Sequence, residues 1–248
     1  MYEELRPPDA PRGTVRCRWR SVEHGPKRIV PDGCVDLVVG GGEAFVAGPD
    51  TAAWTSSFTP GTQLRGLRLR PGAAAAVLGV AADELRDQRV PLARLWNASR
   101  AEEILDGREL SDAVCVAATA TDDPAVDELL ARLARAPSRV GAPPPGLGER
   151  QLRRRFTLAV GYGPATYLRV LRLQRAIALA PSVADLATLA VAAGYADQPH
   201  FSRECRALTG LPPRAYFSLF GGNSRCTARK CARPGWPGKA RQRAEDSL

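Results

Sequence analysis

Gln198, His200, Ser202, Arg203 and Arg206 crowd into one short stretch, at spacings that set polar side chains along one side of a helix. These residue types suit DNA recognition. Arg offers a two-pronged donor to guanine and Gln a matched donor and acceptor to adenine, while Ser and Arg also reach phosphate oxygens. The same stretch has an apolar side, because Phe201, Cys205 and Leu208 recur at i, i+4 and i+7. The residues before it supply what would hold that side inward. Val183 to Ala193 carries Leu186, Leu189, Ala190 and Ala193 at helical spacing; Gly194 can end that helix with a positive φ, Asp197 can cap the next, and Pro199 fits in its first turn. The pattern predicts the turn and second helix of a helix-turn-helix. An amphipathic surface helix with ordinary charges would show the same polar face, so the neighbouring segments have to decide.

Glu149 to Ala159 reads as another such helix. Leu152, Phe156 and Ala159 line its inner face, Arg150, Arg153, Arg154 and Thr157 project outward, and Arg155 flanks them. Arginines packed this closely repel one another on an isolated helix, and a phosphate backbone relieves the repulsion. Between the two lies an apolar arc of Tyr167, Val170, Leu171, Leu173 and Ile177, within a helix expected from about Pro164 to Ala180. Arg169, Arg172 and Arg175 recur along its other side. An arc that wide predicts two packing partners.

Gly161-Tyr-Gly-Pro-Ala-Thr-Tyr-Leu-Arg-Val-Leu-Arg-Leu-Gln-Arg-Ala176 precedes the second unit and Thr209-Gly-Leu-Pro-Pro-Arg-Ala-Tyr216 follows it. With Gly194-Tyr-Ala-Asp-Gln-Pro-His-Phe-Ser-Arg-Glu-Cys-Arg206, this arrangement resembles the AraC/XylS-type transcriptional regulators over roughly residues 147–217. The resemblance implies a seven-helix DNA-binding domain with two recognition helices in successive major-groove faces, about one DNA turn or ~34 Å apart. It also implies that Arg150, Arg153 and Arg154 in the first helix and Arg203 in the second occupy base- or phosphate-contacting positions. The chain departs from the family at residues 141–148, Gly-Ala-Pro-Pro-Pro-Gly-Leu-Gly, where a helix should precede the first recognition helix. Successive prolines cannot continue a helix, and Gly148 replaces a capping Ser or Thr. The first unit is therefore expected to be incomplete, its recognition helix leaning on the linker helix and the second unit.

Charge divides the chain in the same place. Residues 1–136 hold 17 Lys and Arg against 20 Asp and Glu, whereas residues 137–248 hold 18 against 6. A neutral half joined to a strongly basic one fits a module that meets a polyanion. No apolar run is long enough for a membrane span, and the N-terminus lacks a secretory pattern. With six Cys and no secretory context, the cytoplasm is the expected compartment.

The remaining half reads as short strands. Candidates are Thr14–Ser21, Lys27–Val30, Cys34–Val39, Ala44–Ala47 and Thr62–Arg70, followed by helical stretches at Ala73–Leu78 and Ala82–Gln88. Ile29-Val-Pro-Asp-Gly-Cys-Val-Asp-Leu37 through Val46-Ala-Gly-Pro-Asp50 to Leu92 resembles an uncharacterised domain found ahead of AraC-type modules. The expected fold is α+β: a β-rich sensing or dimerisation domain over 1–96, bridging helices over 97–136, an all-α double helix-turn-helix domain over 137–220, and a disordered basic tail over 221–248. His24 and His200 are too few for a metal-dependent barrel, and no cofactor motif appears. Cys34, near Asp36, reads as a buried thiol rather than an activated one. Cys226 and Cys231 alone do not make a zinc site. The expected partner is double-stranded DNA, with a small-molecule effector at the first domain and pairing of two chains left open. Two other readings remain: an interaction or ligand-binding protein with a decayed DNA-binding domain, and alkyl transfer to Cys34.

Overall fold

The computed structural model describes residues 2–5, 14–117, 123–135 and 140–221. Of the expected basic tail only Gly221 is among them; the rest, with Cys226 and Cys231, lies outside.

Alternation along the first half builds one antiparallel sheet. Its strands are β1 (Tyr2–Leu5), β2 (Val15–Val22), β4 (Asp36–Gly40), β5 (Glu43–Ala47), β7 (Gln63–Leu69) and β8 (Arg89–Pro91), in spatial order β1-β2-β7-β4-β5-β8. The intervening β3 (Lys27–Ile29) and β6 (Trp54–Ser56) pair separately as a small second sheet. One face of the large sheet carries Val35, Leu37, Val39, Val46, Leu67 and Leu69. It is covered by α1 (Ala74–Leu78), α3 (Ala98–Leu105) and α4 (Leu110–Ala117), with the short α2 (Leu92–Leu95) at the sheet's edge. The other face carries Trp19, Val38 and Leu64, with Tyr2, Phe45 and Phe58 around them. The expected strands are present. β1, β6 and β8 were not expected, and the stretch after Ala82 forms only a 3-10 turn over Ala82–Leu85, ended by Asp87 at φ 57°.

A second core begins at α5 (Pro124–Arg135), whose Val126, Leu129 and Leu133 pack into the helical half. That half continues with α6 (Glu149–Val160), α7 (Pro164–Leu179), α8 (Leu186–Ala193), α9 (Gln198–Thr209) and α10 (Pro213–Gly221). Residues 140–148 form no helix, so six helices stand among the described residues where the resemblance implied seven. Phe156, Val170, Leu173, Ala190 and Phe201 fill the centre of this cluster.

The two halves meet along α7 and at the ends of α6 and α9. Gln174 Nε2 on α7 donates to Pro31 O at 2.6 Å. At Gly161, which ends α6 with φ 96°, a Cβ would lie 2.3 Å from Pro49 Cγ and 2.9 Å from Ala82 O. The position therefore demands glycine twice, for its left-handed backbone and for its contact with the other half. Gly161→Ala is expected to cost roughly 2–4 kcal/mol from strain and overpacking together. Combined with Pro49→Ala it should cost less than the two separate losses summed. Thermal or denaturant unfolding of the native chain and these three variants measures this; a fully additive pair would show that Pro49 does not press on this helix end.

Candidate nucleic-acid interface

The polar face of α9 is aimed by its own first turn and by α8. Asp185 caps α8, its carboxylate accepting from the Ala187 and Thr188 amides at 2.9 Å each. The helix therefore starts at Leu186, not at Val183 as expected. Gly194 closes it in the left-handed region at φ 95°, a conformation that bends the chain into the turn at no Cβ cost. Tyr195 is buried in that turn, with its ring 4.9 Å from Phe201 and edge-on to His200 at 5.3 Å. Asp197 then caps α9 by accepting from the His200 amide at 2.6 Å, with Pro199 in the first turn. Phe201, Cys205 and Leu208 point inward, fully buried. Arg203 and Arg206 are exposed; Gln198, His200 and Ser202 are half-buried along the same side.

His200 differs from its neighbours. Its Nδ1 accepts from the Ala196 amide at 3.3 Å, so one ring nitrogen locks the turn and Nε2 is the nitrogen left to face outward.

On α6, Leu152, Phe156 and Val160 are buried while Arg150, Arg153 and Arg154 are exposed. Gly148 occupies the N-cap and supplies no side-chain bond, as the sequence implied. The support of this helix differs from expectation. Its principal neighbours are α5, α7, α1 and the 3-10 turn Ala82–Leu85, so the β-rich half carries part of the load that the second unit was expected to carry. Arg155 also leaves the outer face. Its Nε and Nη2 bind the two Asp123 oxygens at 2.7 Å each, a two-pronged ion pair that ties α6 to the start of α5.

Two anchors of the recognition helix gave no sequence signal. Arg169 on α7 is bonded to Glu204 on α9, fixing the helix against the linker. At the far end of α9 the Ala53 amide donates to Leu208 O at 2.8 Å, and Arg28 Nη1 donates to Thr209 O at 2.9 Å. Both donors come from the β-rich half, across more than 150 residues of chain, a pairing that no local pattern encodes.

Cys34 is 3% exposed, and burial pushes its thiol up to about 12, so it lacks the lowered acidity of an activated nucleophile. Among the described residues no group of His, Cys, Asp and Glu is placed to hold a metal ion, and no helix is long and apolar enough to cross a membrane.

Residues 145–218 match the family model "Helix-turn-helix domain", and residues 3–91 match "Domain of unknown function (DUF6597)". No curated protein matches the chain. Among solved structures, ToxT from Vibrio cholerae O395 is 8% identical with a TM-score of 0.42, covering 89% of this chain and 98% of that one. The same protein bound to (E)-4-(8-methylnaphthalen-1-yl)but-3-enoic acid is 10% identical with a TM-score of 0.42, covering 88% and 98%. At such identity and superposition the likeness carries no inference about ligand or activity.

The geometry separates two kinds of arginine on α6. Arg154→Ala should leave unfolding unchanged and lower the log–log salt slope of DNA binding by about 1, as one lost phosphate contact does. Arg155→Ala should keep the slope and destabilise the fold by ~1 kcal/mol or less, since the pair with Asp123 is partly solvated. Equal loss of slope in both variants would put Arg155 on the DNA after all.

Proposed function

We propose that this chain, whose C-terminal part is an AraC-type helix-turn-helix domain, regulates transcription by reading bases with α9 and gripping the DNA backbone with α6. The observation that carries this reading is the placement of charge. Arg203 and Arg206 on α9 and Arg150, Arg153 and Arg154 on α6 are exposed and make no ion pair with the described residues. Two neighbouring arginines are tied to carboxylates instead: Arg155 to Asp123 and Arg169 to Glu204. Unneutralised guanidinium groups held on two packed helices suit a polyanion.

The two helices serve differently on this reading. α9 offers varied donors and acceptors (Gln198, His200, Ser202 and Arg203) as base discrimination requires, with Arg206 on phosphate. α6 offers arginines without that variety and acts chiefly as an anchor through Arg150, Arg153 and Arg154. Residues 1–96 form the sensing or dimerisation domain, the helices after it join the halves, and 137–220 contact double-stranded DNA. The chain then works where the DNA is, in the cytoplasm.

Footprinting and substitution scanning on a selected binding site test this. Arg203→Ala should cost ~1–3 kcal/mol on the selected site and much less on random DNA. Base changes in the half facing α9 should cost ~1–3 kcal/mol each, and those facing α6 well under ~1 kcal/mol. Equal losses on both kinds of DNA would reduce Arg203 to a phosphate clamp, and two equally discriminating halves would make α6 a base reader too.

A further inference from the structure

The large and small sheets do not close on each other. Between them lies a cleft of about 80 Å³, open to solvent at its mouth and walled by Trp19, Phe45, Trp54 and Phe58. Four carboxylates also line it, Glu23, Asp32, Asp36 and Asp50, against two cations, Lys27 and Arg68. The immediate neighbours Glu4, Arg16 (bonded to Cys34 of the wall) and Arg89 leave a formal excess of one negative charge.

The cations present are already shared out. Arg68, 8% exposed on the central strand β7, binds Asp36 through two nitrogens, reaches Asp32 at 3.1 Å and lies 3.9 Å from Glu4. One guanidinium facing three carboxylates has no capacity left for an anionic ligand. Arg89 binds Asp50 at 2.8 Å and lies over the Trp54 ring at 3.9 Å. Glu23 is 3% exposed, takes the Ser21 hydroxyl at 2.8 Å, and has the Lys27 ammonium only at 3.9 Å. Asp36 and Asp50 also accept from the Trp19 and Trp54 indole N–H groups at 2.9 and 3.0 Å, and Arg89 covers one face of Trp54, so the setting for a further positive charge with an apolar body is the aromatic wall together with the thinly compensated Glu23.

We infer that this cleft binds a small organic cation carrying an aromatic or alkyl body. The assignment deepens the reading of residues 1–96 as a sensing domain and rests on it. The way an occupant would be felt is built into the wall. Val30 and Asp32 line the cleft, and the carbonyl of Pro31 between them holds Gln174 of the linker helix α7. An occupant that presses on this loop therefore presses on the element joining the two recognition helices.

Benzyltrimethylammonium is a suitable probe, its charge being permanent, with benzyl alcohol and phenylacetate as neutral and anionic companions of similar body. Emission from Trp19 and Trp54, checked by calorimetry on the full chain without DNA, should report saturable binding of the cation at least about tenfold tighter than either companion. Phe58→Leu at the rim and Asp50→Asn should each weaken it several-fold. Asp50 is held up at about 6 by burial, against the pull of Arg89 and with Asp32 and Asp87 adding to the rise. As pH climbs from 5 to 7 the carboxylate loses its proton, so affinity for the permanent cation should rise in the native chain and stay level in Asp50→Asn. Preference for phenylacetate, absence of saturation by the cation, or undiminished binding in both variants would overturn the assignment. Because no DNA is present, failure here leaves the footprint of the unliganded chain to judge the DNA-binding reading separately.

Discussion

The recognition helix α9 ends against the other half of the molecule, and a buried helix end must find donors for its last carbonyls. An isolated helix would use water or a lysine. Here Leu208 O receives the Ala53 amide and Thr209 O receives Arg28, while Gly210 turns the chain away in the left-handed region. Each such bond adds about 1 kcal/mol net, and losing the partner costs more, because the carbonyl would stay buried and unpaired. The β-rich half is therefore part of what orients α9. At the other end of the helix the work is local: Asp197, Pro199 and the Tyr195 turn set the start, so the reading face is fixed at both termini by different means.

α6 solves a harder problem. Residues 141–148 contain three successive prolines and cannot supply the helix that would stand in front of it. Its apolar face still has to be covered, and Phe156 is fully buried. The cover comes from α5 on one side and from the Ala82–Leu85 turn with α1 on the other, and the Arg155–Asp123 pair pins the arrangement. A unit that looks truncated in sequence is thus completed from a different part of the chain. The consequence is that the position of α6, like that of α9, depends on the docking of the β-rich half.

What the sequence revealed follows the range of the forces involved. The helix-turn-helix of α8 and α9 was legible because its signals are local: Gly194, Asp197, Pro199 and the Phe201, Cys205, Leu208 stripe act within a few residues of one another. The alternating strands β2 and β7 were legible for the same reason. The three-residue strands β3, β6 and β8 are too short to show a period, and of these only the Lys27–Ile29 segment was anticipated. β1 is a polar edge whose pairing with β2 owes more to register than to apolar pattern. α5 was recognisable as a helix, yet nothing local says that Val126, Leu129 and Leu133 pack into the helical half. The site divides likewise. The exposed arginines could be named, whereas the loss of Arg155 to Asp123 and the bond from Arg169 to Glu204 depend on residues more than 30 positions away.

This dependence makes the loop at Pro31 more than a contact point. Among the described residues, polar bonds join the halves at Pro31, Ala53, Arg28 and Arg86, each of about 1 kcal/mol net, together with the contacts at Gly33 and Gly161. Gln174 reaches Pro31 O from within a buried stretch of α7, and Tyr167 packs so close that a Cβ on Gly33 would lie 2.7 Å from its ring. The loop therefore has little freedom to move without moving α7, and its other side is wall of the cleft. The wall of the cleft is thereby joined to α7, and through α7 to α6 and α9, by packing and hydrogen bonds already present.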